Sequence, residues 1–134
     1  QIMKLHTIGD AYVLADRGEG WSRTVEEALL LGKPVVSTAR GGIHEYLKEN
    51  LYYPLSSTYV EVKETPWIPW YKKNQKWAEV NRDELKKAML FVYKNRDIAR
   101  AKGVLAKDFI KESFNYFTVG NMMRQRLEQL YKVL

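Results

Sequence analysis

Two carboxylates, Glu19 and Glu27, stand eight residues apart around a glycine-containing turn, Asp16-Arg17-Gly18-Glu19-Gly20. Glycine lets the backbone approach a ligand closely. A helix that starts after such a turn presents unpaired N–H groups carrying partial positive charge. Gly18, Gly20 and the stretch Ser22-Arg23-Thr24 therefore describe an anion site suited to phosphate. A carboxylate beside that site has its own use, because the hydroxyls of a ribose or a hexose are donors that it accepts from. The same residues also carry plainer readings. Thr24 and Glu27 spell a capping box, T-x-x-E, and Glu19 reads as a solvated loop acid. Neither G-x-G-x-x-G after a strand nor G-x-x-x-x-G-K-[ST] occurs, so the dinucleotide fingerprint and the P-loop are excluded.

The elements that must hold these residues can be read from the apolar pattern. Ala11-Tyr12-Val13-Leu14-Ala15 lies between Asp10 and Asp16 and suits a strand covered on both faces. A helix is expected from about Arg23 to Leu31. Ser22 or Thr24 caps it, Gly32 ends it and Pro34 forbids its continuation. Pro34-Val35-Val36-Ser37-Thr38 reads as a second strand, and Gly41-Gly42 as a second turn that opens a short helix to about Glu49. Residues 2–8 read as a helix end closed by Gly9. Strand, glycine turn and helix, repeated, imply a parallel sheet whose ligands bind beyond the carboxyl ends of the strands. Farther on, Leu51-Tyr52-Tyr53 and Tyr59 to Val62 read as short strands. Pro66, Pro69, Trp67, Trp70, Trp77 and several lysines then form an irregular aromatic stretch. Asn81 with Glu84 signals a helix start, with Leu85, Ala88, Met89 and Val92 on one face. A helix from about Asp97 to Ser113 is expected to turn Ala101, Leu105 and Phe109 inward. A last helix starts at Thr118 with Met122, Met123, Leu127, Leu130 and Leu134 on one side.

The string from Asp10 to Gly42 resembles the donor-site half of retaining GT-B glycosyltransferases of family four. Their pattern is an acidic residue, an apolar strand, E-G-[FW]-G-x-P-x-x-E-A, then G-x-P-V-[IV], then a loop with G-G followed by an acid. Here Glu19-Gly20-Trp21 and Glu27-Ala28 reproduce E-x₇-E, and Gly32, Pro34, Val35, Val36, Gly41, Gly42 and Glu45 follow in register. Lys76-Trp77-Ala78-Glu79 and the C-terminal helices look like one subgroup of that family. Ser22 stands where the family usually has glycine, and Thr24 where it often has proline. The resemblance implies a Rossmann-like α/β fold, the C-terminal part of a GT-B enzyme. It makes Glu19 the catalytic-site carboxylate, contacting hydroxyls of the donor sugar. Gly20, Trp21, Ser22, Arg23 and Thr24 would hold the diphosphate, largely through amides. Glu27 would hold the ribose, and Gly41 and Gly42 would form a further donor loop. The substrate implied is a nucleotide-diphosphate sugar such as a UDP- or GDP-hexose. The acceptor implied is a glycan or a lipid-linked molecule, and neither metal nor cofactor is needed. An N-terminal Rossmann-like domain would have to supply the acceptor side, so these residues alone should not catalyse transfer. Residues 118–134 would then be a terminal helix packing on that domain.

The composition agrees with one globular domain over residues 1–134. The chain is 46% hydrophobic and 28% charged, without cysteine, and has no apolar run long enough to span a bilayer. Lys4, His6 and Asp10 break up any signal-peptide core, and the first residue, Gln1, is not Met, which suggests sequence upstream. These features fit a cytoplasmic protein, with peripheral membrane contact as an option. Lys and Arg outnumber Asp and Glu by 22 to 16, but residues 1–51 carry six against seven, so the surplus lies in residues 52–134. Solvated helix faces account for such a diluted surplus. A nucleic-acid-binding domain is the weaker reading, because the Glu19 turn is acidic. A non-catalytic interaction module of the same fold, and self-association into a homo-oligomer, stay open as alternatives. His6 and His44 suggest no metal pair.

Overall fold

Gly32 closes one helix, and the four residues after Pro34, Val35–Thr38, are all buried. They form the central strand of a three-stranded parallel sheet. In the computed structural model, which describes residues 2–63 and 67–132, the chain opens with α1 (Ile2–Ile8) and β1 (Tyr12–Leu14). Next come α2 (Arg23–Leu30), β2 (Val35–Thr38) and α3 (Ile43–Tyr46). A 3-10 turn, Glu49–Leu51, leads to β3 (Tyr53–Leu55). A hairpin of β4 (Ser57–Glu61) and β5 (Lys76–Val80) follows, then α4 (Arg82–Lys94), α5 (Arg96–Ser113) and α6 (Tyr116–Tyr131). Pro66 and Leu134 lie outside the described residues.

The sheet order is β1-β2-β3, with Tyr12 opposite Val35 and Val36 opposite Tyr53. The period of two in a strand sends alternate residues to opposite faces. Val35, with Tyr12 and Leu14, packs against Val25 and Leu29 of α2 and Ala106 and Ile110 of α5. Val36 and Leu55 pack on the other face against Val92 of α4 and Ala99 of α5. Helices thus cover both faces, as the alternating pattern predicts. The cover is incomplete over β1, an edge strand: Val13 is 38% exposed above a hollow of about 240 Å³ that Val36, Met89 and Tyr93 help to line. The expectation of a strand buried on both faces is corrected there.

Three further readings change. The Leu51-Tyr52-Tyr53 strand begins later, at Tyr53, because Leu51 closes the 3-10 turn. The aromatic stretch contains a strand that the sequence reading missed, β5, paired antiparallel with β4. On α5 the inward residues are Ala99, Gly103, Ala106 and Ile110. Leu105 is 61% exposed, Ala101 is exposed and Phe109 is half-buried. Close approach decides that face: a Cβ on Gly103 would stand 2.3 Å from the carbonyl oxygen of Gly32, so small residues let α5 lie on the α2–β2 turn.

Candidate functional site

The carboxyl ends of β1 and β2 open into a cleft of about 280 Å³. Asp16, Arg17, Gly18 and Glu19 supply one wall, Thr38, Arg40 and Gly41 a second, and Tyr59, Lys76, Trp77 and Ala78 of the hairpin a third. Two arginines just beyond the strand ends hold the hairpin there. Arg17 donates through Nε to Glu79 Oε2 at 3.0 Å and lies over the Trp77 ring at 4.2 Å. Arg40 donates to Ser57 Oγ at 2.9 Å and covers the Tyr59 ring at 4.2 Å. The Ala78 N–H donates to the Arg17 carbonyl, and the Thr38 hydroxyl to that of Asp16. The sequence reading missed this hairpin wall. The signal available for it was the pairing of an arginine after each strand with a later aromatic strand.

The Glu19–Ser22 loop and the Arg40–Gly42 loop lie against each other. A Cβ on Gly41 would come within 2.4 Å of the Glu19 carbonyl oxygen, and one on Gly42 would overlap that of Gly20. The reason for glycine at both positions is therefore backbone packing between the loops. Gly18 and Gly20, by contrast, face open space. Glu19 lies on the cleft, and its Oε1 accepts from the Gly20 N–H at 3.1 Å. The Trp21 ring stacks on Tyr46 at 4.6 Å, meets Phe114 edge-on and donates to Glu26, so its side chain anchors the loop.

Helix α2 begins at Ser22, whose φ of 63° is the left-handed conformation, the one positive φ outside glycine among the described residues. That backbone explains why the resembled pattern has glycine here. The expected side-chain cap does not form. Ser22 occupies the cap position, yet its Oγ is buried without a partner, and the N–H groups of residues 21–24 have no hydrogen bond among the described residues. Thr24 caps nothing either: its hydroxyl accepts from Tyr12 at 2.8 Å. The capping-box reading of Glu27 is thereby corrected. Arg23 is exposed at the helix start. Burial, then the charges of Glu26 and Glu19, push the Tyr46 hydroxyl well above its ordinary range.

Glu27 does not line the cleft that Glu19 lines. It sits one helical turn beyond Thr24, with its carboxylate 3.8 Å from Nε2 of His6, a residue 8% exposed whose ring lies 5.1 Å from that of Tyr12. His6, Tyr12 and Thr24 line a second groove of about 300 Å³. The helix start thus separates two concavities, one with Glu19 and one beside Glu27. Nothing in the sequence flagged His6 as Glu27's neighbour, and His44 is exposed on α3.

The fold, a three-stranded parallel sheet between helices, is similar to part of a glycosyltransferase of known structure. That structure, one of those similar to this chain, is sucrose-phosphate synthase from Thermosynechococcus elongatus, with a TM-score of 0.66 and 17% identity. The match covers 97% of this chain and 27% of that one, and at such identity it shows the fold. No protein-family model matches the sequence, and no curated protein matches it.

Proposed function

We propose that this chain is the donor-binding part of a retaining hexosyltransferase of GT-B type, which takes a nucleotide-diphosphate sugar and needs no metal. The observation that carries the reading is the start of α2. The amides of residues 21–24 are unbonded among the described residues, the Ser22 hydroxyl is buried and unpartnered, Glu19 lines the cleft, and Thr24 and Glu27's neighbour His6 line the second groove. The diphosphate lies across the helix start, where amides and the helix dipole favour negative charge. Glu19 accepts from hydroxyls of the hexose on one side. Glu27 accepts from the ribose hydroxyls on the other. Gly41 and Gly42 act indirectly, by holding the Glu19 loop in place. Transfer itself belongs to an assembly with a second domain that presents the glycan or lipid-linked acceptor, since this chain spans only 27% of the structure it resembles.

Titration calorimetry of UDP and GDP against the wild type and Glu27→Gln tests this. Glutamine keeps the shape and one acceptor oxygen but removes the charge. Hydrogen bonds to a charged group contribute about 1.5–3 kcal/mol, so affinity for whichever nucleotide binds should fall by about ten- to a hundredfold. Unchanged affinity would remove the ribose role from Glu27.

A further inference from the structure

We propose that the loop joining β4 to β5 is a docking surface for an anionic lipid interface. Four tryptophans are present, and two of them have structural partners: Trp21 on Tyr46, and Trp77 under Arg17. Trp67 and Trp70, 78% and 72% exposed, have no ring contact or hydrogen bond among the described residues, and Tyr71 beside them is exposed too. Its residues 67–75 line none of the grooves described above. Residues 67–75, Trp-Ile-Pro-Trp-Tyr-Lys-Lys-Asn-Gln, contain two lysines and no acid.

Tryptophan and tyrosine rings settle at the level of lipid headgroups, where one end is apolar and the other wet. Lysines alongside add attraction to anionic headgroups within a Debye length. Clustered aromatics and cations on an exposed hairpin end match both demands at once. A nucleic-acid platform instead needs a basic groove that tracks the backbone. The strand entering this loop brings Glu61 to its base, opposite Lys76, which disfavours a phosphate track. The inference does not depend on the donor-site reading, because no residue of that site is involved.

The test is sedimentation of the chain with vesicles of phosphatidylcholine alone and of phosphatidylcholine containing phosphatidylglycerol, with tryptophan quenching by brominated lipid. The chain should bind the anionic vesicles selectively, and bound tryptophan should be quenched. Trp67→Ala/Trp70→Ala should weaken binding by about tenfold or more and abolish quenching. Lys72→Glu should weaken it by about thirtyfold at low salt. Circular dichroism of both variants should match the wild type, since all three side chains are exposed. Three outcomes would overturn the proposal: no binding to anionic vesicles, binding and quenching that survive in the tryptophan variant, or preferential binding of single-stranded RNA through the same residues.

Discussion

At the scale of single residues, Ser22 and Tyr52 each hold something that stability alone would not select. A serine in the left-handed region costs of order 1 kcal/mol, and its buried hydroxyl has no partner. Ser22→Gly should raise the urea unfolding free energy by about 0.5–1 kcal/mol, the strain relief being partly offset by glycine's larger entropy when unfolded. If the hydroxyl serves phosphate, the same variant should bind nucleotide about two- to tenfold more weakly, a neutral hydrogen bond being worth about 0.5–1.5 kcal/mol. Higher stability with unchanged affinity would leave the serine without a role in binding. Tyr52 is fully buried and its hydroxyl also lacks a partner. Burial, with the charge of Glu49, pushes its pKa up to about 12 from 10.0. The folded state therefore favours the neutral phenol. Its contribution is fully present below pH 10 and is lost as pH rises through about 12, a change of about 2–3 kcal/mol. Tyr52→Phe should equal or exceed the wild type at pH 7 and lose less stability between pH 10 and 12, as measured by chemical denaturation across that range.

At the scale of elements, the sheet was legible where the signals are local. Val35–Thr38 is bounded by Pro34, α2 is closed by Gly32, and Asn81 caps α4 by accepting from the N–H groups of Asp83 and Glu84. It was not legible where packing over long separations decides. Strand β5 exists because Ser57–Glu61 lies opposite it and Arg17 meets Glu79, 62 residues away. Glu84, expected to complete a local start signal, instead accepts from the backbone and hydroxyl of Ser56. The apolar positions of α5 fit more than one face, and volume chose between them. Gly103 shows the choice directly. Alanine there would gain about 1 kcal/mol of helix propensity. Its Cβ, however, would press on the Gly32 carbonyl, and overpacking against backbone costs up to about 3 kcal/mol. Gly103→Ala should therefore lower the unfolding free energy by about 2 kcal/mol despite the better helix former. An unchanged denaturation midpoint would mean that α5 can slide on the α2–β2 turn. The E-x₇-E spacing picks out both carboxylates, but it could not tell that Glu19 lines the cleft while Glu27 faces His6.

At the scale of the whole molecule, the apolar surface that the sequence set aside for the last helix is uncovered. Val119, Met122, Met123, Leu127 and Leu130 recur at helical spacing along α6, which has no buried residue. Exposure of such a stripe in the chain by itself has a cost that association relieves. Residues 52–134 carry the basic surplus, sixteen Lys and Arg against nine Asp and Glu, but α6 itself contributes only Arg124, Arg126 and Glu128, so charge repulsion along the helix is weak. The sedimentation coefficient of the chain should therefore rise with concentration. Met123→Glu/Leu127→Glu should restore a concentration-independent monomer, and because both side chains are exposed the unfolding free energy should stay within about 0.5 kcal/mol of the wild type. A wild type that stays monomeric across the concentration range would refute the association. A variant that unfolds instead would show that this face packs on its own domain.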